Sequence, residues 1–176
     1  VYPFLMEGDS IDLNETNKIV GSFNVQGLGI ENIEGIQYFT EITALNISYN
    51  HLQKVPREIS NLKKLQKIVA VNNQINECPF FKNMPQLKII YLSSNQLANL
   101  EHFVGLPLLE ELYIDNNQLI KLPQILNSFQ NLQIIVANDN QLKSLPYVID
   151  LKNITLFSIY NNKLTFEQLE IIANIF

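Results

Sequence analysis

The eleven residues LEELYIDNNQL, 109–119, decide how this chain is read. Leu or Ile stands at the first, fourth, sixth and eleventh positions, and Asn at the ninth. Positions four and six alternate with other residue types, the period-two pattern of a half-buried strand. The frame recurs as ITALNISYNHL (42–52), LQKIVAVNNQI (65–75), LKIIYLSSNQL (87–97), LQIIVANDNQL (132–142) and ITLFSIYNNKL (154–164). Successive starts lie 23, 22, 22, 23 and 22 residues apart. VGSFNVQGLGI (20–30) fits one step earlier, with Leu28 where Asn is due, which makes seven copies. A fixed period of this size marks units that cannot bury their apolar face alone and must stack.

One strand per unit, every strand running the same way, allows only a parallel sheet with each connector crossing behind it. The connectors then cover one face, and positions three, five, seven and eight stay open on the other. At a strand spacing of about 4.8 Å, seven strands make a sheet about 30 Å wide. The connectors are bulkier than the strands, so the stack curves with the sheet inside. After each strand the chain turns into the interior and buries backbone N–H and C=O groups that need partners. Asn carries an acceptor oxygen and two donor hydrogens on a short stem. Asn50, Asn73, Asn95, Asn117, Asn140 and Asn162 therefore read as a structural ladder, with Leu28 interrupting it where an end cap supplies other partners.

The template L-x-x-L-x-L-x-x-N-x-L over 20–164 resembles the leucine-rich-repeat family. The connectors IENIEGIQYFTEI and LANLEHFVGLPLL look like the 22-residue type of phosphatase-regulator and internalin-like proteins. LQKVPREISNLKKL and LIKLPQILNSFQNL look like the 23-residue type common in bacterial and plant-related repeats. The resemblance, to a bacterial type with mixed repeats, implies an α/β fold: a right-handed leucine-rich-repeat solenoid, or curved horseshoe. Its parallel β-sheet would line the concave face, and short helical, 3-10 or extended connectors the convex face. A single domain is expected over 1–176, with an N-terminal cap (1–19), seven repeats (20–164), and a C-terminal helical cap or the start of a further segment (165–176).

The ends carry their own signals. Tyr2, Phe4, Leu5 and Ile11 are expected to turn inward as a front cover. DLNETNKI (12–19) looks like half a calcium loop, with Asp12, Asn14 and Thr16 in place. Asn17 stands where the turn Gly belongs and Phe23 where the bidentate Glu belongs, so no metal is expected. Thr165 three residues before Gln168 gives a capping-box pattern for a closing helix with Leu169, Ile172 and Phe176 on one face.

Composition narrows the function. A formal charge of −5 argues against a nucleic-acid partner. Residues 1–41 hold seven acids and one base, Lys18, and a basic cluster of Lys54, Arg57, Lys63, Lys64 and Lys67 follows. These read as two solvated faces of opposite sign. No apolar run reaches membrane-span length, and one cysteine, Cys78, permits no internal disulfide. Cys78 falls at repeat position fourteen, where other repeats place Leu or Val, and reads as core. His51 and His102 have no ligand spacing, and neither a nucleophilic triad nor a phosphate loop is recognisable. No enzyme activity and no cofactor are expected. The sequons at Asn14, Asn46 and Asn153 match chance for so Asn-rich a chain.

The open positions hold the functional signal. Lys67, Val69 and Val71 precede Ile89 and Tyr91; Glu111, Tyr113 and Asp115 follow; then come Ile134 and Val136, with Leu156 and Tyr160 last. Tyr91 and Tyr113 are expected side by side, flanked by Val69 and Val136. An apolar strip with aromatics and a polar rim marks an interaction site, and Tyr is a favoured anchor. The reading is a non-catalytic module that binds a protein or peptide ligand on its concave sheet. Lys67 would set orientation against Glu111 and Asp115, and a homodimer through that face is the competing arrangement. By the resemblance, a secreted or cell-surface bacterial protein is favoured. An intracellular, cytoplasmic scaffold or enzyme regulator and a self-associating structural unit are the alternatives.

Overall fold

In the computed structural model, residues 6–7, 10–11, 13–146 and 153–173 are described. The expected inward turn of Tyr2, Phe4 and Leu5 lies outside them, as do Asp12, Phe176 and the side chains of Ile11, Leu169 and Ile172. A short antiparallel pair, β1 (Met6–Glu7) and β2 (Ser10–Ile11), leads into one helical turn, α1 (Leu13–Thr16). Asn14 and Thr16 thus belong to a helical turn instead of a calcium-type loop. Thr16 is buried, and Asn17 Oδ1 accepts from the Thr40 hydroxyl.

Seven strands follow in chain order: β3 (Gly21–Asn24), β4 (Ile42–Asn46), β5 (Lys67–Val69), β6 (Ile89–Tyr91), β7 (Glu111–Tyr113), β8 (Ile134–Val136) and β9 (Leu156–Ser158). They form one parallel sheet in which spatial order equals chain order. The register places repeat position on repeat position. Leu45, Ile68, Ile90, Leu112, Ile135 and Phe157 make one row, and Asn46, Val69, Tyr91, Tyr113, Val136 and Ser158 the next. This is the leucine-rich-repeat solenoid that the period demands. The pairing runs past the formal strand ends: Leu92 N bonds Tyr113 O and Ser94 N bonds Asp115 O, with equivalents in neighbouring repeats.

The core lies between sheet and connectors. Ile68, Ile90, Leu112 and Ile135 are fully buried beneath the sheet. From the connectors Phe81 and Phe103 meet them, rings 5.2 Å apart and both fully buried. The connectors include 3-10 turns at Ile36–Tyr38, Arg57–Asn61 and Gln124–Ser128. Pro56 and Pro123 stand just ahead of the latter two, extended in backbone and free of any N–H to satisfy. Parallel bridges Lys82–Val104 and Lys121–Ser144 also join neighbouring connectors. Helix α2 (Phe166–Ala173) closes the described chain.

Three local expectations are corrected. Gln168 does not complete a capping box: its side-chain oxygen accepts from Leu145 N at 2.9 Å, while its own N–H bonds the Thr165 carbonyl. Helix α2 is thereby tied to the preceding repeat. Cys78 packs against the core but is only half-buried, unlike Val55, Leu100, Leu122 and Leu145 in the same column. The basic cluster is not one face. Lys64 pairs with Glu41, Lys63 donates to Asn83 O, Arg57 lies over the Phe80 ring, Lys67 is on the concave sheet, and Lys54 lines a polar recess with Glu31 and Glu77.

Candidate functional site: the concave sheet

The concave face depends on the turn that ends each strand. Residue eight of every full copy adopts a left-handed backbone: Tyr49, Asn72, Ser94, Asn116, Asp139 and Asn161 all have φ between 52° and 58°. In the first copy Gly27 does the same at φ 68°. This reversal swings residue nine inward. Asn95 Nδ2 then donates to Leu92 O (3.0 Å) in its own turn and to Ala70 O (2.9 Å) in the preceding one. Its Oδ1 accepts from Ile75 N at 3.0 Å. Asn73, Asn117, Asn140 and Asn162 repeat the set one step along the stack.

Because each Asn serves the turn before it, Leu28 leaves no gap of the expected kind. Asn50 supplies the first turn, accepting from both Leu28 N and Ile30 N at 3.0 Å and donating to Val25 O. The partners come from the next repeat and not from an end cap. Nor is position seven open throughout: Ser48 and Asn138 are buried. Ser48 Oγ accepts from Val71 N, and Asn138 Oδ1 accepts from the Ser158 hydroxyl and Tyr160 N.

On the frame so held, the predicted residues fall into three rows. Position three gives Lys67, Ile89, Glu111, Ile134 and Leu156. Position five gives Val69, Tyr91, Tyr113 and Val136, and position seven Val71, Asp115 and Tyr160. The central residues are half-buried by one another, whereas Leu156 and Tyr160 are 44% and 65% exposed near the last strand. Tyr91 and Tyr113 pack ring against ring, centroids 4.4 Å apart and planes tilted by 33°. Lys67 Nζ caps the Tyr91 ring at 5.1 Å, a cation–π distance. The Tyr91 hydroxyl donates to Glu111 (3.2 Å), and the Ser93 hydroxyl donates to Asp115 (2.6 Å). Partial burial, with the Glu111 charge and Tyr113 close by, pushes the Tyr91 phenol up to about 12. It is a neutral donor at ordinary pH.

The face is graded along the stack. Ser22, Asn24 and Gln26, then Ala44, Asn46 and Ser48, give it a small and polar start, cross-linked where Asn46 Nδ2 donates to Gln26 Oε1. The aromatic and aliphatic strip begins at β5. Residues missed at the sequence level are those that shape this platform: the left-handed position-eight residues, and Ser93 beside Asp115. The Asn/Asp bias at position eight was the available signal, blurred by Tyr49 and Ser94.

Among the described residues no group of three or more His, Cys, Asp or Glu side chains could hold a metal ion, and no described helix is long and apolar enough to cross a membrane. Burial pushes the Cys78 thiol up, which disfavours the reactive thiolate. Its Sγ accepts weakly from His102 N at 3.5 Å.

Comparisons agree with this geometry. Family models for the leucine rich repeat match residues 79–119 and 108–132. No curated protein matches the chain. Among solved structures, a leucine-rich-repeat protein of Leptospira interrogans is 30% identical with a TM-score of 0.77, over 84% of this chain and 38% of that one. An internalin C2 of Listeria monocytogenes is 23% identical with a TM-score of 0.77, over 93% of this chain and 72% of that one. The plant peptide hormone receptor RGFR1, solved in complex with RGF2, is 26% identical with a TM-score of 0.69, over 82% of this chain and 23% of that one. The chain therefore spans well under half of the Leptospira protein and of the plant receptor. Repeat period, sheet register, Asn ladder and family matches converge: the chain belongs to the leucine-rich-repeat family.

Proposed function

We propose that this chain is a non-catalytic recognition module that holds a protein or peptide on its concave sheet, with Tyr91 and Tyr113 at the centre. Leucine-rich-repeat proteins are generally interaction modules, and the plant relative is a peptide hormone receptor. The observation that carries the reading here is the closely packed Tyr91–Tyr113 ring pair, half-buried on an open sheet and flanked by Val69 and Val136. Strand propensity alone favours Val, Ile and Tyr anywhere in a sheet. It does not account for their collection in adjacent repeats beside a polar stretch. Large rigid aromatics with a polar tip are the anchors that binding surfaces use.

A bacterial protein acting outside the cell is the reading that the mixed repeat type favours, and the Leptospira relative fits its bacterial part; fractionating source cells with an antibody to this chain tests it. The binding role is tested by affinity capture from native extract, wild type against Tyr91→Ala/Tyr113→Ala. The reading expects partners that the folded variant loses. A folded variant that keeps every partner refutes it. A second copy of the chain is the competing occupant. A mass that rises with concentration in light scattering, and does so less in the variant, would assign the strip to self-association.

A further inference from the structure

We propose that the occupant of the concave face presents a lysine or arginine side chain to Tyr113, between Glu111 and Asp115. The proposal rests on the concave-site reading and adds the chemistry of the partner. Strand β7 and the extended residues just after it carry an acid–aromatic–acid alternation, Glu111, Tyr113 and Asp115, and all three are half-buried on the concave side. Alternate residues along a strand lie about 7 Å apart, so each carboxylate flanks the ring within reach of one long cationic side chain.

Among the described residues neither carboxylate has a cationic partner. Each accepts from a hydroxyl, Glu111 from Tyr91 and Asp115 from Ser93. The ion pairs among the described residues, Lys18–Glu15, Lys64–Glu41 and Lys88–Glu110, use neither acid. Lys67 is the sole cation in the three concave rows, and it is committed to the far end of the aromatic pair, over Tyr91. It shares the Glu111 row two strands away, roughly 10 Å, close to a Debye length.

The aromatic pair thus has a cation at its Tyr91 end and two carboxylates around its Tyr113 end. An anionic ligand group near Tyr113 would meet repulsion. A neutral apolar group would further desolvate two carboxylates that have hydroxyl donors but no cation beside them, which is costly. A cationic group gains the ring quadrupole and both charges together. Lys67 then suits an acidic or carbonyl-rich part of the same ligand, which fixes its direction across the strands.

The test uses a displayed library of random peptides selected on the whole chain. Selected peptides are measured by fluorescence anisotropy on wild type, Tyr91→Ala/Tyr113→Ala and Glu111→Gln/Asp115→Asn. If the alanine variant does not fold, Tyr91→Leu/Tyr113→Leu replaces it. The expected result is peptides that need the tyrosines, are enriched in Lys or Arg, and lose at least about tenfold on the neutralised variant. Tyrosine-dependent peptides without that enrichment, or bound equally by the neutralised variant, overturn the cation proposal and leave the concave site standing. A selection in which no binder depends on the tyrosines removes both.

Discussion

Asn95 shows how much one residue holds. Its carboxamide satisfies Leu92 O, Ala70 O and Ile75 N, all inside the stack. Asn95→Ala strands those groups without water and is expected to cost about 2–3 kcal/mol in urea unfolding. Asn162→Ala, at a half-buried site nearer the end, should cost less. Equal losses would mean that the ladder does not act through burial. The ladder was legible because Asn returned at position nine in six copies, and its chemistry follows from its donors and acceptor. The direction of service was not legible, since sequence cannot say that Asn50 reaches back to the Leu28 turn. Gln168 misled for a related reason: its spacing from Thr165 fits a cap, but a backbone N–H from Leu145 competed for its oxygen. Tyr91 offers a residue-scale test in pH. Its folded pKa, about 12, lies above the ordinary 10.0, so the neutral phenol is favoured by the fold. That contribution is whole below pH 10 and is lost as pH rises through 12. Phenolate absorbance of wild type minus Tyr91→Phe should titrate late, and Glu111→Gln should bring the midpoint down. An unmoved midpoint would remove the Glu111 contact from the account.

At the scale of elements, the strands have few residues but are stitched well beyond their formal ends. Their register could be read from the chain because period-two alternation leaves no choice of face: a slip of one residue would turn every buried Leu and Ile to solvent. The connectors were less legible. A 3-10 turn, an extended stretch and a bridge all satisfy the same length and the same apolar spacing. Local backbone chemistry, such as Pro56 and Pro123 just ahead of their turns, decides among them. The half-exposure of Cys78 follows from this freedom. The connector pair Phe81 and Phe103 supplies much of the central core, so Phe103→Ala should cost about 3–5 kcal/mol by denaturant titration. A loss below about 1 kcal/mol would show that the connectors collapse to fill the space and that the convex layer is soft.

For the whole molecule, stacking makes each repeat depend on its neighbours, and the open sheet is what remains available for recognition. The sequence placed Tyr91 and Tyr113 in adjacent repeats at the same position, which is enough to make them neighbours. The tilt between their rings, the Lys67 cap and the Glu111 bond required side-chain geometry. Nothing in the repeat frame names a ligand, because the exposed positions vary without altering the buried ones. If these two rings anchor a partner on the concave face, as proposed, their removal should weaken it. Calorimetric titration of a captured partner into wild type and into folded Tyr91→Ala/Tyr113→Ala measures this. An affinity loss of about a hundredfold or more is expected, in line with two central aromatic anchors. An affinity unchanged within error, on a variant whose circular dichroism matches wild type, would contradict it.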